Sequence, residues 1–175
     1  VILGSGGAFP TARRMPSSAV VLREGEMFMF DCGEGTQLQL SKTGLGWARL
    51  KGIFITHLHG DHIIGLYGLL MTMSMGDRSE ELAIYGPPGI NDYIRLGRKI
   101  LKFGLTYPLR VIETEGGRLV ETKEYILDCI PVRHRVFTLA YRLAEKPRPG
   151  RFNLEKARQL GIPPGPLYRR LQDGE

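Results

Sequence analysis

The first half of the chain carries apolar segments in an order that predicts strands alternating with helices. Short apolar runs typical of strands occupy 1–3, 19–22, 27–30, 50–56 and 82–85. Apolar residues at helical spacing predict helices over 36–41, 63–75 and 90–103. The glycine-rich run GSGGAFPT follows the first strand, and Glu24-Gly25 is the predicted turn of a β-hairpin between the next two.

Between the last of these helices and residue 144, the pattern predicts only strands. They are expected at 110–113, 118–120, 125–131 and 139–143, with turns at Gly116-Gly117 and near His134. Strands that alternate with helices, mixed with antiparallel hairpins, predict a mixed sheet with helices packed against it. The expected fold class is therefore an α/β layered domain.

The composition changes at Glu145. Prolines and glycines there bracket one short helix predicted over 154–160, with Asn153 as its N-cap and Gly161 just past its end. The prolines within 162–166 stiffen the tip, because each fixes φ and removes a donor. We therefore expect a domain over 1–144 and a protruding arm over 145–175.

Composition narrows the class of protein. A hydrophobic content of 42% and a charged content of 24% are close to globular averages and argue against disorder. The longest apolar stretch, 63–75, is shorter than the roughly 20 residues of a membrane span, so no membrane segment is expected. Cys32 and Cys129 form no CxxC pair and are expected to be buried thiols, which fits a reducing cytoplasm. The net charge of +6 favours an anionic partner.

The run HLHGDH, from His57 to His62, predicts a metal site, because it holds three of the four histidines directly after an apolar strand. In an extended segment His57 and His59 point the same way and can bind one ion. Gly60 then bends the chain, so Asp61 and His62 are expected to reach a second ion about 3.5 to 4 Å away, an arrangement that hydrolyses phosphate esters. Such mixed ligands suit zinc, with manganese or iron as alternatives.

The remaining histidine, His134, lies in IPVRHR just past the strand predicted over 125–131. It is the natural third imidazole for the first ion. A surface histidine between two arginines is the alternative.

Several segments together resemble ribonuclease Z, the tRNA 3′-processing endonuclease family of the metallo-β-lactamase superfamily. They are FDCGEGTQLQL at 30–40, FITHLHGDHIIGLYGLL at 54–70, the GPPG turn at 86–89, PVRH at 131–134 and the arm segment GIPPGPLYRRLQDGE. HxHxDH alone specifies only the superfamily, but these segments extend over nearly the whole chain. The resemblance implies a metallo-β-lactamase fold, an αββα sandwich, incomplete here at its C-terminus and carrying a protruding arm.

The resemblance also implies a role for each residue of the metal motif. His57, His59 and His134 would bind one zinc, and Asp61 and His62 the other. Asp61 would also be the general base that takes a proton from the attacking water. The implied products are a tRNA with a 3′-hydroxyl and a trailer with a 5′-phosphate, and the implied protein is a cytoplasmic homodimer that binds precursor tRNA.

The family pattern includes an aspartate that bridges both metals and one further histidine ligand, both after the arm, and this sequence contains neither segment. We therefore expect five of seven metal ligands here. Asp31 is expected to orient a ligand imidazole from behind rather than to replace the bridge. For Asp128, a surface or hairpin position is expected.

The arm is basic, and the resemblance implies that it grips the body of the tRNA through phosphate contacts. The candidate RNA-binding residues are Lys146, Arg148, Arg151, Lys156, Arg158, Arg169 and Arg170. A solvated basic surface is the alternative. Two other functions stay open: a metallo-β-lactamase-fold hydrolase of a small phosphodiester or thioester, and a non-catalytic RNA-binding fragment.

Overall fold

The computed structural model describes residues 1–148 and 150–174; Pro149 and Glu175 of the predicted arm lie outside the described residues. The larger of two sheets has six strands in sequence order: β1 (Ile2–Gly4), β2 (Ser18–Arg23), β3 (Glu26–Phe30), β4 (Leu50–Phe54), β5 (Leu82–Gly86) and β6 (Leu109–Glu113). The first three strands pair antiparallel, and β3 to β6 pair parallel. The predicted mixed sheet is therefore confirmed.

Helices connect the parallel strands and cover one face of this sheet. They are α1 (Thr36–Lys42), α2 (Gly60–Ile63), α3 (Gly65–Met75) and α4 (Ile90–Leu101). Core residues of the sheet, such as Met29 and Ile53, pack with the buried face of α3, which includes Leu66 and Leu70. In the described part of the chain, no helix is long and apolar enough to cross a membrane.

The smaller sheet packs against the opposite face of the larger one. Its strands β7 (Gly117–Glu121), β8 (Tyr125–Val132) and β9 (Thr138–Glu145) pair antiparallel. Between the sheets lies a largely aromatic layer in which Phe54 stacks on Tyr85 with ring centroids 5.0 Å apart and Phe28 contacts Tyr125 edge-on. Because successive strand residues point to opposite faces, β3 and β4 supply side chains to both cores.

The arm contains one more helix than the sequence predicted. The expected helix is present as α5 (Leu154–Gln159), capped by Asn153, whose side chain accepts from the Lys156 amide at 3.0 Å. The segment treated as a stiff tip continues into a second helix, α6 (Pro166–Asp173). Pro166 starts this helix because proline suits the first helical turn. Tyr168 of α6 packs on Phe152 at 4.6 Å between ring centroids, a contact that no local pattern reveals.

A cluster of charged residues, here called the arm-root cluster, links the start of the arm to the two sheets. It consists of Arg23, Glu24, Glu124, Glu145 and Arg148. The Arg23 side chain is 6% exposed and donates to Glu145 at 2.7 Å and to Glu124 at 3.0 Å. Arg148 pairs with Glu24 at 2.5 Å and with Glu145 at 3.3 Å. Residues from the β2–β3 turn, the β7–β8 turn and the arm thus meet at one point.

Candidate metal centre

The candidate site lies where two neighbouring parallel strands end. The strands β3 and β4 end at Phe30 and Phe54, and Asp31 donates its amide to the Phe54 carbonyl at 2.9 Å. Asp31 then takes a left-handed conformation with φ of 59°, which turns the chain out of the sheet. Residues 55–59 leave the same edge and lead into α2. Ligand sites commonly form at this carboxyl edge of parallel strands.

Three imidazoles converge at this edge. One ring nitrogen from each of His57, His59 and His134 lies within 4.8 Å of the other two, and His57 Nε2 is 3.0 Å from His59 Nδ1. His57 is buried, His59 is half-buried and His134 is exposed in the loop between β8 and β9. The smaller sheet therefore brings the third imidazole to the two that follow β4.

Asp61 and His62 form a second set of donors in α2. The distance from His62 Nε2 to Asp61 Oδ2 is 3.6 Å, and the His57 and His62 ring centroids are 4.0 Å apart. The backbone amide of Ala8 donates to Asp61 Oδ2 at 2.9 Å. All five residues predicted as metal ligands thus lie together, as three imidazoles next to one imidazole and one carboxylate.

Asp31 is buried behind these histidines and contacts two of them, one directly and one through Thr56. Its Oδ2 is 2.6 Å from His62 Nδ1, and its Oδ1 accepts from the Thr56 amide at 2.8 Å and hydroxyl at 2.9 Å. The Thr56 oxygen lies 2.9 Å from His57 Nδ1. Since the hydroxyl donates its proton to the carboxylate, its oxygen accepts from His57 Nδ1–H. Both rings then keep an Nε2 lone pair for a metal.

In the metal-free site the electrostatics favour the metal-binding forms of His57 and Asp61, whereas they favour the protonated form of His62. Burial, together with the neighbouring imidazoles of His62 and His59, lowers the pKa of His57 to about 4, so this ring is neutral at pH 7. Burial alone would lower the pKa of His62, but its hydrogen bond to Asp31 and the charges of Asp31 and Asp61 outweigh that effect and raise it. The amide of Ala8 lowers the pKa of Asp61 and keeps it ionised. Neutral imidazole and ionised carboxylate are the ligand forms.

Close backbone contacts fix α2 against the turn that follows β3. The Cys32 amide donates to the His62 carbonyl at 2.7 Å, and the Gly65 amide donates to the Cys32 carbonyl at 3.0 Å. A Cβ on Gly33 would lie 2.3 Å from the Asp61 carbonyl oxygen, and one on Gly65 would lie 2.1 Å from the Gly33 carbonyl oxygen. Only glycine fits at these two positions, which accounts for part of the FDCGEGT segment.

Sequence reasoning missed two groups at the site. Thr56 directly precedes His57, and a hydroxyl residue at the end of an apolar strand was the available signal. Ala8 contributes only its backbone amide, so its side chain carries no signal. The remaining predicted residue, Asp128, pairs with Arg142 across the β8–β9 hairpin at 2.6 Å, the hairpin position that was expected.

The seven basic residues proposed for RNA contact differ in their surroundings. Lys146 pairs with Glu121 at 2.6 Å, and Arg148 belongs to the arm-root cluster, so both already contact carboxylates. Arg169 pairs with Asp173 at 3.9 Å. The five that follow Arg148 are all exposed, and they are Arg151, Lys156, Arg158, Arg169 and Arg170. Cys32 and Cys129 are free and buried, as expected.

Comparison with known proteins yields matches to one family model and to curated relatives. Residues 1–115 match the family model described as Anti-Pycsar protein Apyc1. Ribonuclease Z of Nitrosopumilus maritimus is 44% identical over 99% of this chain and 58% of its own length. Ribonuclease Z of Trichodesmium erythraeum is 45% identical over 99% of this chain and 54% of its own length. The chain thus spans a little over half the length of these curated relatives.

Comparison with solved structures also finds a tRNase Z and other metallo-β-lactamase-fold proteins. Human tRNase Z, short form, matches with a TM-score of 0.77 and 34% identity, covering 84% of this chain and 65% of that one. YhfI from Bacillus subtilis, a metallo-β-lactamase fold protein, matches in fold with a TM-score of 0.64 at 21% identity, covering 82% of this chain and 56% of that one. Together with the site, these matches define the chain as a metallo-β-lactamase-fold protein. Within that class it belongs to the family that the Apyc1 model describes. Over 99% of its length it is also similar to proteins named ribonuclease Z.

Proposed function

We propose that the protein removes 3′ trailers from tRNA precursors by metal-dependent hydrolysis of one phosphodiester bond, leaving a 3′-hydroxyl on the tRNA and a 5′-phosphate on the trailer. The observation that carries this proposal is the convergence of His57, His59 and His134 beside the Asp61–His62 pair. Its supporting comparison is the match to proteins named ribonuclease Z, which includes the arm as well as the site.

The donor set fits divalent metal ions. His57, His59 and His134 would hold one zinc, in keeping with three-histidine catalytic sites, and Asp61 and His62 would contribute to a second. Bound ions of this kind acidify water and stabilise charge on a phosphoryl oxygen. Five donors are fewer than the seven that the resemblance implies. We expect the other two, an aspartate and a histidine, in the part of the relatives that this chain does not match.

Asp61 and Asp31 would have different roles in this reaction. Asp61, ionised and held by the Ala8 amide, accepts the proton of the attacking water. Asp31 holds His62 directly and His57 through Thr56, which fixes the two rings and their tautomers.

On the arm, the exposed cations Arg151, Lys156, Arg158, Arg169 and Arg170 contact tRNA phosphates. We assign the phosphate contacts to these five and differ here from the sequence-based expectation for Lys146 and Arg148. Those two form close ion pairs with carboxylates at the base of the arm, at 2.6 and 2.5 Å, whereas Arg169 lies 3.9 Å from Asp173.

We further propose that the protein works as a homodimer in the cytoplasm. The resemblance implies the dimer, and the proposed precursor tRNA substrate together with the two free, buried thiols supports the cytoplasm. Sedimentation of the purified protein would test the dimer directly.

The direct test uses a precursor tRNA with a labelled 3′ trailer and the full-length protein. Asp61→Ala is expected to lower the cleavage rate by about 100-fold to 10,000-fold, the usual contribution of a general base, and to leave tRNA affinity within about twofold. Asp92→Ala is the matched control, because Asp92 is exposed on α4 and pairs only locally with Arg95 at 3.0 Å. Loss of tRNA binding in Asp61→Ala would contradict the division of labour between site and arm.

A hydrolase of a small phosphodiester is the second candidate, and one observation favours it. The family model matches residues 1–115, which hold four of the five donors and exclude the arm. Replacing Lys156 and Arg158 with alanine discriminates between the two functions. Cleavage of precursor tRNA should fall while hydrolysis of bis(p-nitrophenyl) phosphate stays unchanged if tRNA is the substrate. Equal retention of both activities would favour the small substrate.

The third possibility, a non-catalytic RNA-binding fragment, is tested by metal content. The chain of 175 residues is expected to hold one zinc tightly at the three histidines and the second weakly. Two tightly held ions per chain would contradict the count of five donors, and none would favour the non-catalytic fragment.

A further inference from the structure

The loop between β1 and β2, residues 5–17, contacts Asp61 directly and also contacts Gly33 beside it, although the loop is distant in sequence. The Ala8 amide donates to Asp61 Oδ2 at 2.9 Å. At its other end the loop reaches Gly33, whose hypothetical Cβ would lie 2.7 Å from Pro16 Cβ and 2.3 Å from the Asp61 carbonyl oxygen. The loop therefore lies against both the side chain and, through Gly33, the backbone of the same residue.

The conformation that aims the Ala8 amide is an unfavourable one. Ala8 has a φ of 63°, in the left-handed region that residues with a Cβ seldom adopt. The residue before it is Gly7, and the Phe9 amide closes a tight turn over Ala8 by donating to the Gly7 carbonyl at 2.8 Å. Strained backbone of this kind persists only where surrounding contacts impose it, and it is concentrated at functional sites.

The rest of the loop is braced, so Ala8 is held in place. The Gly6 amide donates to the Met15 carbonyl at 2.8 Å, and the Thr11 amide donates to the Arg14 carbonyl at 2.8 Å. The Thr11 hydroxyl oxygen also accepts from the Arg14 amide at 2.9 Å. Hydrogen bonds within the loop therefore hold the segments before and after the turn at Ala8 in place.

We infer that Ala8 is a positioning residue whose backbone amide fixes the rotation of the Asp61 carboxylate, holding Oδ2 at 3.6 Å from His62 Nε2. The inference rests on the proposed function, in which Asp61 is both metal ligand and general base. A carboxylate that rotates freely about its Cβ–Cγ bond spends part of its time in unproductive orientations. A fixed hydrogen-bond donor to one of its oxygens restricts that rotation. The alanine side chain itself has no part in this role.

The test replaces the amide without changing the side chain. Lactic acid at position 8, introduced into the full-length protein by ligation of a synthetic N-terminal peptide, removes the N–H and keeps the methyl group. The expected result is a fall in kcat for precursor tRNA of about 10-fold to 100-fold, the usual value of a hydrogen bond to a charged group, with KM unchanged. The dissociation constant of the second zinc ion should rise by a similar factor.

The matched control is lactic acid at position 12, because Ala12 is an exposed alanine of the same loop and its replacement leaves both the turn at Ala8 and the contact to Asp61 in place. Ala8→Gly is a second control, because glycine keeps the N–H and accepts the positive φ, and it should retain near-normal kcat and zinc affinity. Equal effects of the two esters, or a rise in KM alone, would overturn the inference. Failure of the unmodified protein to cleave precursor tRNA would instead overturn the proposed function, and zinc affinity would still report on Ala8.

Discussion

His62 Nδ1 lies 2.6 Å from Oδ2 of Asp31, a residue 31 positions earlier in the chain. The carboxylate is buried and can only accept, so the ring must present its proton there and its Nε2 lone pair toward Asp61. The Asp31 carboxylate, which lies behind the candidate metal ligands, therefore sets the tautomer of neutral His62. The same carboxylate reaches His57 through Thr56.

Asp31→Asn is expected to weaken zinc binding by about 10-fold to 100-fold, the usual effect of losing such a partner. Asparagine keeps the shape and tolerates the left-handed backbone. Its amide group, however, donates toward His62 and drives the ring proton onto Nε2. Zinc affinity measured by competition with a chelating dye checks this result. Asp128→Asn, in the β8–β9 hairpin, is the control and should bind zinc normally.

Thr56→Val should lower zinc affinity at the three-histidine group by about tenfold, because the ring of His57 loses the oxygen that receives its Nδ1 proton. Thr56→Ser retains a hydroxyl and should bind zinc nearly as well as the unchanged protein. If serine and valine variants bind alike, the hydroxyl relay is wrong and Thr56 is only a packing residue.

In metal-free protein, His57 and His62 should titrate at clearly different pH values. The pKa of His57 is lowered to about 4 by burial and by its imidazole neighbours, whereas Asp31 and Asp61 raise that of His62 above its usual 6.5 despite burial. As the pH falls, His62 therefore gains its proton first. Long-range nitrogen–proton NMR spectra recorded across a pH series resolve the two rings, and a reversed order would contradict the assigned contacts.

Gly65→Ala is expected to lower the free energy of unfolding by about 1–3 kcal/mol, the usual cost of forcing extra atoms into a packed site. The new Cβ would lie 2.1 Å from the Gly33 carbonyl oxygen, so the turn that anchors α2 must move. Zinc affinity should fall with it. Gly46→Ala serves as the control, since its Cβ meets nothing within 4 Å, and its effect should stay within about 0.5 kcal/mol. Urea unfolding measures both.

Arg23→Leu should lower the melting temperature at neutral pH, because three carboxylates of the arm-root cluster lose the more buried of the two arginines that they share. The pKa values of Glu145 and Glu24 are lowered by their hydrogen bonds to Arg23 and Arg148. Their contribution is thus present above about pH 4.5, the value expected when unfolded, and is lost as pH falls through the lower folded values.

The melting temperatures of Arg23→Leu and the unchanged protein should therefore converge as the pH is lowered toward 3. Arg95→Leu is the control, since Arg95 forms one exposed ion pair with Asp92. A constant gap between Arg23→Leu and the unchanged protein from pH 7 to pH 3 would show that packing, not charge, explains the loss.

Local sequence patterns were sufficient to predict most secondary-structure elements of this protein and its candidate metal motif. Alternating and helical spacings identify every strand and most helices, because each element buries one face and its sequence records that face. The HLHGDH run predicts a metal site from the sequence alone, since three histidines directly after a buried strand are hard to explain by packing. In the arm, the Asn153 cap and Gly161 mark the ends of α5 by local hydrogen bonding and positive φ alone.

Contacts between distant segments required the tertiary structure. The second arm helix was missed because Tyr168 is held by Phe152, and a proline-rich run gives no sign of that partner. The pairing of Lys146 and Arg148 with carboxylates depends on the arm meeting the end of β7 and the β2–β3 turn. The sequence by itself determined which residues are the candidate metal donors, since side-chain chemistry is local. A place for Asp31 behind a ligand imidazole was already expected from the resemblance. Which ring it contacts, and the contacts of Thr56 and Ala8, were decided only by the fold, because they depend on distances between strands and loops.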